Sequence, residues 1–299
     1  MYFCRIILNP IIMKKGIIIC LCVTVIAMFS SCSKNDGVYE PAKKIQKIYT
    51  VNDGGEKVLA EAWHWDGNTL TSIDRYYEAL TFTDQFSYDT KNRLISVENA
   101  NATVEITYDG NKLDEIKEYA KGVNTIEPAA KYDFEYKGNK ISKIEMEVNF
   151  PLWDKEKSSN PLCYVLPELV PAVDQFVKKC PNTAKNEKIT ILLTWDGNNV
   201  KSMDISITGF MPVSETVDLT YDNKNNPFYG MVSQMGSEVV NNFFLNKNNV
   251  LTMTTRIGAV QDMNVEYTYE YDGKYPTSVT SLTTDNEGNE EMETTIYEY

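Results

Sequence analysis

A short pattern recurs along this chain: an aromatic residue, a tight turn and two spaced apolar residues. It constrains the fold more than any other feature. It reads WDGNTLTSI from Trp65, YDTKNRLISV from Tyr88, YDGNKLDEI from Tyr108, YKGNKISKI from Tyr136 and WDGNNVKSM from Trp195. Degraded copies follow as YDNKNNPF from Tyr221, LNKNNVLTM from Leu245 and YDGKYPTSV from Tyr271. A unit repeated at a spacing of about 20 to 30 residues marks an array of one supersecondary element. Residues before each turn alternate, as with Val104, Ile106 and Tyr108 against Thr103, Glu105 and Thr107, which is the signature of a half-buried strand. Asp-Gly and Gly-Asn at the centre tolerate the positive φ of primed hairpin turns. Each unit is therefore expected to be one β hairpin, and Asp66, Asp109, Asp196 and Asp272 are explained by turn chemistry.

After each turn the two apolar residues stand three apart: Leu70 and Ile73, Leu94 and Val97, Leu113 and Ile116, Ile141 and Ile144, Val200 and Met203. Strict alternation would send the members of each pair to opposite faces. A bulge beside every turn is the expected remedy. The fold class is all-β, an antiparallel meander of hairpins over residues 45–299 that forms either a large curved sheet or a closed, porin-like barrel, a length that β domains commonly reach as one unit.

One interruption breaks the array. Between Tyr136 and Trp195 the spacing doubles, and Leu162, Val165, Leu166, Leu169, Val173, Phe176 and Val177 repeat at three and four residues, one apolar face of a helix. Pro167 and Pro171 divide it, and Lys178, Lys179 and Pro181 close it. A helical insertion is thus expected at about residues 151–187, and it is the natural filler for a barrel too wide for its own side chains.

YDTKNRLISV resembles the tyrosine-aspartate repeat of RHS and teneurin shells, with its Tyr-Asp turn followed by arginine, leucine and valine. The amino end resembles a bacterial lipoprotein signal: Lys14 and Lys15, an apolar run from Gly16 to Phe29, then Ser30, Ser31 and Cys32. That resemblance implies removal of residues 1–31, a diacylglyceryl anchor on Cys32 and a tether over residues 32–44. The run is too short for a spanning helix. Together the lipobox, hairpin units and length resemble an uncharacterised Bacteroidetes lipoprotein family, described as a domain of unknown function with a porin-like fold. The family implies an outer-membrane address, facing the cell surface or the periplasm, and brings no activity with it.

Alternation alone leaves open whether the apolar face points inward or toward lipid. A lipid anchor would be redundant on a spanning barrel. Tyr299 reads as the turn aromatic of a unit with nothing after it.

The chain holds 29 basic and 42 acidic side chains. Removing Arg5, Lys14 and Lys15 with the signal leaves 26 basic residues and a net charge of −16, which excludes nucleic acid as an expected partner. Of six cysteines, Cys163 and Cys180 remain beyond the signal and the anchor. They are either a disulfide, which requires the chain to turn back at Pro167 or Pro171, or two buried thiols.

His64 is the only histidine, so a multi-histidine metal site is excluded, and no nucleophile elbow, P-loop or calcium loop is present. No cofactor is expected. Carboxylate pairs such as Asp114 and Glu115 could in principle serve glycoside hydrolysis, but among so many acids some pair always qualifies. Trp153, Trp63 and Trp65 are candidate stacking platforms for a ligand, whereas Trp195 occupies the repeat aromatic position, as Trp65 also does. The expected function is non-catalytic binding of a glycan, peptide or partner protein by a membrane-anchored surface protein. The alternatives are a carboxylate-based hydrolase and a purely structural shell.

Overall fold

The computed structural model describes residues 36–77, 80–121, 127–149, 187–208, 213–232, 245–257 and 260–299. The signal, Cys32, Trp153, Cys163, Cys180 and the expected helical insertion up to residue 186 lie outside them. The strands are β1 (Lys47–Val51), β2 (Lys57–Asp66), β3 (Thr69–Tyr77), β4 (Leu80–Tyr88), β5 (Leu94–Glu98), β6 (Ala102–Asp109), β7 (Lys112–Ala120) and β8 (Ala130–Lys137). They continue as β9 (Lys140–Val148), β10 (Glu187–Asp196), β11 (Asn199–Thr208), β12 (Val213–Tyr221), β13 (Val250–Ile257), β14 (Val260–Asp272), β15 (Tyr275–Asp285) and β16 (Glu290–Glu298). Each pairs antiparallel with its sequence neighbours, and β1 pairs with β16, so the sixteen strands close into a barrel. Of the two architectures expected, the closed barrel is the one formed.

The repeats build the tight-turn end. Asp109 pairs with Lys112 across a two-residue turn in which Gly110 has φ +60°. Positive φ at the first central residue and not at the second, here Gly110 and not Asn111, is the mark of a II′ turn, whose twist matches that of the strands. In the turn between β4 and β5, Asn92 takes the left-handed conformation instead, at φ +60°. The expected bulges are present. The register shifts between His64 and Trp65, Ser87 and Tyr88, Thr107 and Tyr108, Glu135 and Tyr136, and Thr194 and Trp195. Each shift inserts one extra residue after the turn, such as Asp114, and returns Leu113 and Ile116 to the same face.

The two degraded units at Tyr221 and Leu245 do not form separate hairpins. Tyr221 pairs with Val250, so they are the two flanks of a single hairpin, β12–β13, with residues 222–249 between them. Asparagines replace the missing turn. Asn226 Nδ2 donates to the Asn246 carbonyl at 2.8 Å, and Asn249 Nδ2 donates to Asp222 at 3.0 Å.

The apolar face points inward. Ile48, Ile73, Val97, Leu113, Ile144, Met146, Ile191, Val200, Met203 and Val279 are buried. The outer wall carries a charge ladder across β7 to β10. Lys131 reaches Glu115 at 3.0 Å and Asp133 at 2.9 Å, Lys143 reaches Glu135 and Glu145, and Lys188 reaches Glu145 at 2.9 Å. A round sixteen-stranded barrel would be about 30 Å across, wider than its own side chains can fill. Chain segments therefore enter it. Tyr39 from the expected tether, Ile45 just after it, and Phe228, Met231 and Val232 from the β12–β13 connection are buried with the wall residues. Residues 36–44 are consequently docked at the turn end: Gly37 accepts from the Leu94 amide at 3.0 Å, and the Tyr39 hydroxyl donates to the Pro227 carbonyl at 2.7 Å.

Candidate functional site

A ring of side chains at the turn end and a set of buried polar side chains inside organise the barrel. At the turn end, most of the repeat aromatics donate to a backbone carbonyl of the preceding hairpin. Tyr88 bonds Leu70 at 2.6 Å, Tyr108 bonds Leu94 at 2.6 Å, Tyr136 bonds Leu113 at 2.7 Å and Trp195 bonds Ile141 at 2.7 Å. Tyr221 bonds Val200 and Tyr269 bonds Val250. The ring runs through the chain ends. Tyr299 bonds the Pro276 carbonyl at 2.9 Å, and Trp65 Nε1 bonds the Ile45 carbonyl at 2.8 Å. In the unit at Tyr271 the bond comes from Tyr269, and Tyr271 turns instead to Asp222. Burial raises the pKa of Tyr88, and chiefly burial raises those of Tyr108 and Tyr299, so each hydroxyl keeps its proton to donate.

A second set of contacts overlies the first. Arg93 stacks on Tyr108 at 4.4 Å and donates to the Gly110 carbonyl at 2.7 Å, and Lys112 lies 4.8 Å from the Tyr136 ring centre and donates to Gly138 at 2.8 Å. Lys140 on Trp195 and Gly197, Lys44 on Trp65 and Gly67, and Lys224 on Tyr271 and Gly273 repeat the arrangement. Lys43 covers Tyr299 and pairs with Asp272 at 2.8 Å. Sequence reasoning missed these cations. Their signal was present, a basic residue just before the post-turn apolar residue in NRL, NKL and NKI.

Deeper in the barrel the lining changes character. On six strands, moving away from the turns, the next inward residue after an apolar one is polar: Glu61 after Trp63, Arg75 after Ile73, Glu118 after Ile116, Glu215 after Val217, Thr255 after Met253 and Thr295 after Tyr297, all buried. The centre of this collar is Arg75, whose Nε donates to Asp84 at 2.7 Å and whose Nη1 donates to Glu61. The second oxygens are also occupied. Trp63 Nε1 donates to Glu61 at 2.7 Å, and Asn99 Nδ2 donates to Asp84 at 3.0 Å. Two buried carboxylates so arranged hold a guanidinium and present no uncommitted oxygen to a substrate. Tyr297, beside this cluster, has its pKa raised by burial first, then by Tyr299 and Glu61.

The candidates from sequence fall as follows. Trp63 is 3% exposed and packs against Trp65 and Phe228, with ring centres 6.3 and 6.0 Å away. Trp65 is half-buried, its N–H spent on Ile45 and its ring covered by Tyr39 and Lys44. Both side chains belong to core packing. His64 is exposed on the outer wall and bonds Asp74 at 2.8 Å. Asp74 is held below the ordinary carboxylate range by the Thr83 hydroxyl first and by His64 after it. Asp114 is the exposed bulge residue and Glu115 is committed to Lys117 and Lys131, so the structure does not make an acid–base couple of them. Among the described residues no group of His, Cys, Asp and Glu has the arrangement of a metal site.

Fold and lining together define a closed sixteen-stranded antiparallel barrel with an apolar, arginine-clamped interior and a charged outer wall. No protein-family model and no curated protein matches the chain. Among solved structures it is similar to a porin-like protein from Bacteroides vulgatus ATCC 8482, at 13% identity and a TM-score of 0.48, covering 85% of this chain and 98% of that one. It is also similar to a porin-like protein from Bacteroides uniformis ATCC 8492, at 11% identity and a TM-score of 0.49, covering 88% and 99% respectively.

Proposed function

We propose that this chain is a water-facing barrel held at the outer membrane by a lipid on Cys32, acting by binding a glycan, a peptide or a partner protein and neither conducting solutes nor catalysing. The polarity of the wall carries this reading. Lys117, Lys131, Lys143 and Lys188 project outward in mid-barrel with their acidic partners. On the lipid face of a spanning barrel each such cation would cost about 2–4 kcal/mol near the midplane, and the apolar residues that would favour lipid face inward instead. Of the buried acids Glu61, Asp84, Glu118 and Glu215, Glu61 and Asp84 share Arg75, and each of their four oxygens already accepts from Arg75, Trp63 or Asn99.

The test has two parts. Purified protein reconstituted into planar bilayers is expected to give no stepwise conductance, and Cys32→Ala is expected to abolish lipid labelling and either to release the protein from the membrane fraction or to stall removal of its signal. Stepwise conductance that survives Cys32→Ala would identify a pore. Normal lipid labelling of that variant would remove the anchor from Cys32.

A further inference from the structure

We propose that the turn end of the barrel, together with the segment from Asp36 to Gln46 that crosses it, is the face that rests on anionic phospholipid headgroups, leaving the acidic loop end pointing away from the membrane. This rests on the reading that Cys32 is lipidated.

Chain geometry supplies the first reason. The amino-terminal segment is fixed to the turns at successive points: Gly37 to Leu94, Glu40 to Asn92, Lys43 to Asp272 and Lys44 to Gly67. Four residue steps separate Asp36 from Cys32, at most about 14 Å of extended chain. A lipid on Cys32 therefore cannot enter a bilayer while the turn end stands far from it, because Asp36 is held at the turn end and the strands separate that end from the opposite loops.

Charge distribution supplies the second, independent reason. At the turn end Lys91, Lys137, Lys247 and Lys274 are exposed beside the ring cations and together offset Glu40, Asp66, Asp109, Asp196 and Asp272. Among the described residues the opposite end is acidic. Its loops and strand ends expose Asp53, Glu56, Glu127, Glu287, Glu290 and Glu291 against Lys57 and Lys121. Headgroup potential decays within a Debye length of about 8–10 Å, so only the end that lies against the surface feels it. The anionic surface repels the acidic end and tolerates or attracts the turn end. Tether and charge select the same orientation.

The orientation can be read by fluorescence quenching on the full, processed chain. With Cys163 and Cys180 replaced by Ser, a fluorophore is placed through Asn111→Cys in a tight turn or Glu287→Cys in an opposite loop. The protein is bound to phosphatidylethanolamine vesicles containing phosphatidylglycerol and a headgroup-region quencher. Quenching at position 111 at least twofold stronger than at 287 supports the proposal, whereas equal or stronger quenching at 287 overturns it. The mass of the amino-terminal peptide reports lipidation separately. If Cys32 carries no lipid, the anchor reading fails by itself, and the face is then read by flotation of the unlipidated chain with the same vesicles at low salt. Binding lost on joint Lys91→Glu, Lys137→Glu and Lys274→Glu substitution would still support the face, and absence of binding would overturn it.

Discussion

The Tyr108 hydroxyl donates to the Leu94 carbonyl at 2.6 Å, one hairpin back along the chain. The bond joins two units that the backbone ladder already pairs further along their strands, and it fixes them at the turn. Because Tyr136 makes the same bond to Leu113 and Tyr88 to Leu70, the turn end is a chain of side-chain locks. Removing the hydroxyl leaves a carbonyl without its donor, at a net cost of about 1 kcal/mol. Tyr108→Phe and Tyr136→Phe are each expected to lower the unfolding free energy by that amount, read as a lower urea midpoint with an unchanged slope. Unaltered midpoints in both would show that these bonds contribute nothing to stability.

The same hydroxyls set a limit at high pH. Tyr88, Tyr108 and Tyr299 titrate above the ordinary tyrosine value because of burial. A proton held more tightly in the folded state stabilises it fully below the unfolded pKa of about 10, and the contribution is lost as pH rises beyond that toward the folded values. Unfolding is therefore expected to set in above about pH 10, with tyrosinate absorbance and loss of the β circular-dichroism signal rising together. Tyrosinate formation complete before any loss of structure would contradict the ring's protonated, donating state.

Gly37 has φ +75°, and a Cβ built there would fall inside the Tyr108 phenol. Gly37→Ala is expected to destabilise the fold by about 1–3 kcal/mol through overpacking, with faster proteolysis amino-terminal to Ile45. Gly55, also at positive φ but with nothing near its Cβ, gives the control. Gly55→Ala should cost clearly less, and an equal cost at both positions would mean that backbone strain, not docking against Tyr108, decides the effect.

Arg75 binds Glu61 and Asp84 in a cluster whose three side chains are at most 10% exposed. Arg75→Met leaves two buried carboxylates without their cation, a change of about 3–5 kcal/mol. Replacing all three residues with apolar ones of similar volume is expected to recover most of that loss. A triple variant no better than Arg75→Met would show that the collar does more than satisfy its own charges.

Much of this architecture was legible in the sequence because it is local. Turn glycines, alternation and the three-residue spacing of Leu113 and Ile116 specify a bulged hairpin without reference to the rest of the chain, and the structure has it. Tyr299 was readable as a turn aromatic by its likeness to Tyr271, and it does complete the ring, with Lys43 from the amino-terminal segment over its face. Closure through β1 and β16 was not legible, since Lys47 and Glu298 meet only through the summed curvature of fourteen intervening strands. Nor was the merger of the Tyr221 and Leu245 units, where two turn-like runs of asparagine flank one connection. The collar left a signal that alternation alone disregards: Glu61, Glu118 and Glu215 occupy the apolar parity of their strands. A charge on the inward phase of a strand marks a polar interior, but its partner comes from another strand and cannot be named from the one that carries it.

The central claim is that the outer wall faces water and the apolar residues face inward, and the most direct measurement is the behaviour of the chain from Ser33 onward, made without the signal and the anchor cysteine and purified without detergent. Sedimentation velocity is expected to show one monodisperse species that retains its β circular-dichroism spectrum, because Lys131 with Glu115 and Asp133, and Lys143 with Glu145, form a surface that water solvates. A chain that stays dispersed and folded only when detergent is present would place the apolar face outward and contradict the account.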